Sequence, residues 1–339
     1  MKLSTSSIDD VSAQSCPFPE ESFPLLSGSL WGIMTYYNPQ NYVNKRANLR
    51  IAADNVRRQG LNLVVVEATE AGRPFVIEDD IADTVIRVHV TAVLWMKERL
   101  INLAIDALPK DCDKVAWLDG DVLLEDDCWV KKLPPLLEKF AVVQLFSTAY
   151  WMGRSGPGHR SRRRPSQPYA DVERVALGVA FAASFTTKLR LSAPGHVGFA
   201  WAARRSILSP LGLYDRFIIG GGDSIMALAA LGAPSDHFLS IINTPKLAEN
   251  ARKWIAAMQR EVNGSVTALD GAIYHLWHGD RTNRGYLSRY KILSEADFDP
   301  ESDLRINGDG IFEWASNKPA LHSGVRNYFS LRKEEQTPQ

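Results

Sequence analysis

Two aspartates separated by one glycine, Asp119-Gly120-Asp121, end an apolar run at residues 115–118 (VAWL) that reads as a buried strand. Two carboxylates at the edge of a core repel each other and are costly to desolvate. A divalent cation removes both problems, and hard oxygen ligands suit Mn²⁺ or Mg²⁺. Gly120 lets the backbone turn sharply or approach a ligand closely. The plain alternative is a strand followed by an acidic turn. A calcium loop of the EF-hand type fits poorly, because its fifth and sixth positions need an oxygen ligand and a glycine and here are Leu123 and Leu124.

Two further groups carry chemistry. Gly220-Gly221-Gly222 precedes Asp223, so the backbone there can approach a ligand, and Asp223 is either a general base facing a glycine-lined pocket or a helix N-cap. His275 and His278 are three apart. On a helix they share a face, whereas on a strand they point opposite ways and one alone reaches a site at the strand end. The segment is short and aromatic, so the strand is expected, with His278, before Gly279, as the metal ligand and His275 in packing. Trp277, Trp201 and Tyr36 can stack on a sugar or base, against the default of burial. There is no G-x-x-x-x-G-K-[ST] loop, no H-E-x-x-H and no G-x-G-x-x-G after a first strand, which excludes a P-loop and gives no support to a zinc protease or a dinucleotide fold.

These residues have to be positioned by a scaffold. The chain has 339 residues, 45% hydrophobic and 23% charged, with a formal net charge of zero. That is ordinary for a globular protein and gives no overall pull on nucleic acid or membrane. Three cysteines (Cys16, Cys112, Cys128) form no C-x-x-C pair, which argues against a disulfide framework and fits a reducing compartment. With no signal-peptide pattern and no apolar run of membrane-spanning length, a cytoplasmic protein with no membrane span is expected.

Strands are expected at residues 30–37, 61–66, 86–90, 115–118, 142–146, 195–203 and 272–277. Helices are expected at 42–59, 93–108, 129–140, 172–185, 204–209, 224–231, 246–261 and 284–293. Such alternation implies an α/β fold with a mainly parallel sheet covered on both faces. Ligands in such sheets sit outside the carboxyl ends of the strands, where Thr35, Tyr36, Asn38, Glu67, Asp119 and Asp121 all fall. The expected organisation is a mobile arm at residues 1–28, one domain at 29–330 and a polar tail at 331–339. Residues 152–169, a Gly/Pro/Arg stretch, read as a long loop.

The ordered set Thr35, Glu67, Asp119-Gly120-Asp121, Gly220-Gly221-Gly222-Asp223 and Trp277-His278-Gly279 resembles that of glycosyltransferases of the GT-A fold. It is most similar to the inverting, metal-dependent β-1,4-galactosyltransferase and family-2-like groups, over residues 30–293. The resemblance implies a Rossmann-like single domain that transfers a sugar from a nucleotide-sugar, with a UDP-linked donor expected, to an acceptor hydroxyl. Asp121 and His278 then hold Mn²⁺ or Mg²⁺, with Asp119 at the ribose, sugar or metal. Glu67 contacts the nucleoside, and Asp223 is the base. The family's tryptophan and its usual glutamate before that base are missing here. Gly221, Gly222, Trp277, Thr35, Tyr36 and Asn38 complete the expected donor site, and Arg99, at a helix start, can add charge near the diphosphate. The expected acceptor is a glycan, a small molecule or, as an alternative carried by the arginines of residues 152–169, a hydroxymethylated base in DNA. A nucleotidyltransferase and an inactive nucleotide-sugar-binding module are the alternatives from other classes.

Overall fold

A computed structural model describes residues 25–153, 172–177 and 196–334. The expected N-terminal arm up to residue 24 and residues 154–169 of the arginine-rich stretch lie outside the described residues, as does 178–185 of one expected helix. Strand formation at 172–177 replaces the helix expected there.

The first half of the chain alternates strand and helix. β1 (Ser29–Tyr37), β2 (Asn62–Glu70), β3 (Thr84–Val90) and β4 (Cys112–Leu118) are parallel neighbours in the order β4-β1-β2-β3. Helix α1 (Val43–Arg58) links β1 to β2, and α2 (Lys97–Ala107) links β3 to β4. Side chains alternate across the sheet, which sorts the core into two layers. Ile33, Val64, Val66, Val115 and Trp117 face Leu100 and Ile101 of α2. Met34, Leu63, Val65, Ala116 and Leu118 face Leu49, Ala52, Ala53 and Val56 of α1. These side chains are almost fully buried, each worth about 1.5–3 kcal/mol if large.

β4 then runs beside β9 (Ala200–Arg204), which is antiparallel to it and also pairs with β6 (Val142–Gln144). β10 (Val266–Ala268) closes the seven-stranded sheet on that side. The sheet is therefore mainly parallel, with β9 as the reversed strand. Strand order reverses between β1 and β4, and the crevice at their carboxyl ends is where open α/β sheets take ligands. Gly120 has a packing reason: a Cβ there would lie 2.9 Å from Leu49 Cδ1. The glycine serves close approach of α1 rather than a left-handed turn.

A second sheet, in the order β5-β11-β7-β8, sits beside this crevice. β5 (Val122–Leu124) leaves Asp121 directly, and β11 (Ala272–His275) pairs antiparallel with it, His275 opposite Val122. β7 (Thr148–Met152) and β8 (Val172–Leu177) complete it. The remaining helices of the described residues are α3 (Trp129–Leu137), α4 (Arg205–Leu211), α5 (Gly222–Ala230), α6 (Asp236–Ile242), α7 (Pro245–Val262), α8 (Lys291–Glu295) and α9 (Pro319–Leu331), of which α5 and α9 are used below. Residues 284–293, expected as one helix, form short turns at Arg281–Arg284 and Ser288–Tyr290 followed by the helix Lys291–Glu295. Gly285, with φ of 51°, breaks the run. No helix among the described residues is long and apolar enough to cross a membrane.

Candidate active site

A cleft of about 250 Å³ opens at the carboxyl ends of β1 and β4, lined by Thr35, Tyr36, Asp119, Asp121, Asp223, His275 and His278 among others. It has two chemically different corners.

In the first, Lys97 stands between two aspartates. It is the first residue of α2, and its Nζ lies 2.5 Å from Asp119 Oδ1 and 3.0 Å from Asp223 Oδ1. A lysine at a helix N-terminus opposes the helix dipole, so the position needs the carboxylates it meets. Burial disfavours the ammonium, but Asp119 and Asp223 outweigh it and hold the Lys97 pKa well above its usual value. Burial pushes Asp119 up to about 6, against the pull of Lys97. The Asp119 backbone is fixed by a hydrogen bond from its N–H to the Phe199 carbonyl at 2.8 Å. Asp223 follows Gly220 and Gly221, both in the left-handed region (φ 84° and 125°), a conformation that disfavours side chains. The N-cap of α5 is Gly221, without a side-chain cap bond, so Asp223 lies inside the first turn with its carboxylate on Lys97. Beneath this loop Glu98 is buried and accepts a hydrogen bond from Trp95 Nε1 at 3.1 Å. Burial raises its pKa to about 8. A Cβ on Gly222 would lie 2.4 Å from Glu98 Oε1.

In the second corner Asp121, His275 and His278 converge. Asp121 Oδ2 is 3.0 Å from His278 Nε2, Asp121 Oδ1 is 3.6 Å from His275 Nε2, and the two Nε2 atoms are 3.1 Å apart. His275 reaches Asp121 through strand register, and the Leu276 N–H donates to the Asp121 carbonyl at 2.7 Å. His278 joins it because β11 stops at His275, so residues 276–278 leave the extended strand geometry and the His278 ring comes within reach of the His275 ring. The two histidines therefore face the same point, instead of the opposite faces that a continuous strand imposes. Burial pulls both imidazole pKa values down, His275 the further, so both are neutral ligand-type rings. For Asp121, burial is outweighed by His278 and His275 when protonated and by Arg284 and Lys45, which hold it below the usual value. Asp121 Oδ1 is buried without a hydrogen-bond partner. An orphaned carboxylate oxygen facing two imidazole nitrogens is a donor set that fits a divalent cation, and the nitrogens favour Mn²⁺ over oxygen-loving Mg²⁺. Asp119 is turned to Lys97, away from this set.

Other expected site residues have different partners. Thr35, Tyr36 and Gly221 line the cleft, whereas Asn38, Glu67, Gly222 and Trp277 do not. Glu67 is buried and accepts the N–H groups of Val76 (2.6 Å) and Ile77 (3.2 Å), which satisfies the loop after β2. Asn38 is used by Tyr36 Oη and by the Tyr42 carbonyl and N–H. The Trp277 carbonyl takes a hydrogen bond from Asn48 at 3.1 Å. Arg99 pairs with Asp215 at 3.1 Å in a separate cleft. The cation at the α2 start that reaches the expected site is Lys97, two residues earlier. Arg284 was also not among the expected residues; its Nη2 lies 2.6 Å from His278 Nε2.

No protein-family model matches the sequence, and no curated protein matches it. Solved structures do. The chain is similar to glucosyl-3-phosphoglycerate synthase from Mycobacterium tuberculosis, solved with Mn²⁺, UDP and glucosyl-3-phosphoglycerate (13% identity, 80% of this chain and 78% of that chain, TM-score 0.43). It is also similar to a Drosophila β1,4-galactosyltransferase 7 mutant in complex with manganese, UDP-Gal and xylobiose (12%, 70% and 64%, 0.34). A third is TarS of S. aureus (10%, 80% and 41%, 0.39). At identities and TM-scores this low, function has to be read from the chain's own site.

Proposed function

We propose that the chain is a metal-dependent glycosyltransferase of GT-A type, taking a nucleotide-sugar, UDP-linked, and an acceptor hydroxyl. The observation that carries this reading is the joint placement of Asp121-His275-His278 and Asp223 in one cleft at the strand-order reversal. The nucleotide lies at the carboxyl ends of β1 and β4 against Thr35 and Tyr36, with Asp119 toward the ribose or sugar. Asp121, His275 and His278 would hold Mn²⁺, which when bound would offset the charge developing on the diphosphate leaving group.

Asp223 takes the proton of the acceptor hydroxyl as the acceptor oxygen forms its bond to the anomeric carbon. The bond from that carbon to the phosphate oxygen breaks, and the nucleoside diphosphate leaves with the electron pair. With Asp223 as base and the nucleoside diphosphate leaving from the opposite face, the single displacement would invert the anomeric carbon. The Lys97 ammonium lies between Asp223 and Asp119 in the free enzyme, and the arriving acceptor competes with it for the Asp223 carboxylate. Arg284, beside His278, is placed to meet a diphosphate oxygen once the cation occupies the ligand set.

The test is a thermal-shift panel of nucleotide-sugars with and without Mn²⁺, followed by a turnover assay for diphosphate release with the best donor. Mn²⁺-dependent stabilisation by one nucleotide-sugar, followed by release, supports the reading. Donor binding that is indifferent to Mn²⁺ contradicts it.

A further inference from the structure

The last described residues close against the histidine corner. α9 finishes at Leu331, and Arg332 and Glu334 are then 5% and 1% exposed. The fit is backbone to backbone: a Cβ on Gly279 would lie 2.7 Å from the Lys333 carbonyl oxygen and 2.9 Å from Glu334 Cα. The Glu334 carboxylate is held by Lys45 Nζ at 3.1 Å and by the Arg332 guanidinium, and its Oε1 lies 3.4 Å from His278 Nδ1.

The two ring nitrogens of His278 have different polar neighbours. A carboxylate accepts only, so the Glu334 contact favours a proton on Nδ1. A guanidinium donates only, and Arg284 Nη2, at 2.6 Å from Nε2 and 3.4 Å from Nδ1, favours the lone pair on the nearer Nε2. Asp121 Oδ2, also an acceptor, lies 3.0 Å from the same Nε2 and draws the proton the other way; a cation between the two would remove that pull and leave the proton on Nδ1, toward Glu334. Carboxylate partners of this kind commonly orient ligating histidines.

We propose that Glu334 is a positioning residue which, by accepting the Nδ1 proton, holds His278 in its metal-ligating tautomer and makes the C-terminal segment part of the cation site. The inference rests on the cation reading of Asp121, His275 and His278. Its test uses the full chain and two readouts. Calorimetry with Mn²⁺ alone compares wild type, Glu334→Ala, Glu334→Gln and Asp121→Asn. Histidine ¹⁵N spectra of the metal-free protein, assigned with His278→Gln, report which nitrogen of His278 is protonated. The expected result is Nδ1–H in the wild type and its loss in Glu334→Ala. Mn²⁺ binding should weaken about 10- to 100-fold in Glu334→Ala, and by less in Glu334→Gln, which keeps an acceptor oxygen. Should Glu334→Ala not fold, the Glu334→Gln affinity and the wild-type spectrum decide. Wild-type His278 protonated on Nε2, or a folded Glu334→Ala that binds Mn²⁺ like the wild type, overturns the proposal. If that happens while Asp121→Asn loses Mn²⁺, this inference alone falls; if Asp121→Asn also binds Mn²⁺ normally, the cation reading falls with it.

Discussion

The two corners of the cleft solve the same electrostatic problem in different ways. Asp119 and Asp223 share Lys97, a cation supplied by the chain. Asp121 faces two neutral imidazoles and keeps a buried oxygen without a partner. One corner has its cation in direct contact, whereas the other keeps an unpartnered carboxylate oxygen beside two imidazoles, and its nitrogen and oxygen donors specify what must be added. The difference teaches that a pair of aspartates separated by one residue need not act as one ligand set: the strand end aims Asp119 at α2 and Asp121 at β11.

The comparison can be broken at each corner, and the largest effect is expected where the cation is borrowed. Asp121→Asn should abolish Mn²⁺ binding and lower turnover by roughly 10³-fold, since a metal supplies several kcal/mol to the leaving charge. Calorimetry and steady-state kinetics check it; normal Mn²⁺ affinity contradicts the assignment. At the other corner the effect should appear in stability. Lys97→Met leaves two carboxylates facing each other and should cost about 3 kcal/mol, the scale of a broken buried pair. Urea unfolding in the presence of EDTA reads this, and an unchanged midpoint means that Lys97 is not the corner's cation.

Asp223→Asn sharpens the division of labour. Donor affinity should stay near wild type while turnover falls about 10²-fold or more. Near-normal turnover in a folded variant assigns Asp223 to the stability of α5 instead. The smallest effect concerns Glu98 beneath the glycine loop. Its pKa is raised from 4.5 to about 8 in the fold, so the folded state holds a proton that the unfolded state has released. The stability from this group is full below the unfolded pKa and is lost as pH rises through about 8. Between about pH 7 and 8 the wild type should lose up to about 1 kcal/mol from this source, and Glu98→Gln should remove that slope. Equal slopes in the two proteins exclude Glu98 as its origin.

Much of this arrangement is legible in the sequence, for stateable reasons. Apolar runs alternating with amphipathic helices give the parallel sheet, and an acid pair after the fourth strand marks its ligand end. The reversed strand β9 is not legible, because its small apolar residues fit a buried strand of either direction. His275 escapes the period-two argument because β11 stops there, so the alternation does not run on to His278, whose ring lies beside it. Lys97 had a signal, a cation set against a helix dipole, but Arg99 two residues on draws attention with the larger head group. Glu67 and Asn38 sit at strand ends where ligands bind, yet nearby backbone groups take up their polar atoms. Glu334 carries no local sign, since a charged segment after a last helix reads as solvated until its packing on Gly279 is seen.

The most direct test of the central claim is calorimetric titration of UDP into the full chain with Mn²⁺ and again with EDTA. The cleft as described predicts binding with Mn²⁺ that weakens by roughly 10²-fold or more in EDTA, because the diphosphate then meets Asp121 without an intervening cation. The Asp121→Asn protein should show the weak value in both buffers. Equal UDP affinity with Mn²⁺ and with EDTA would contradict the account.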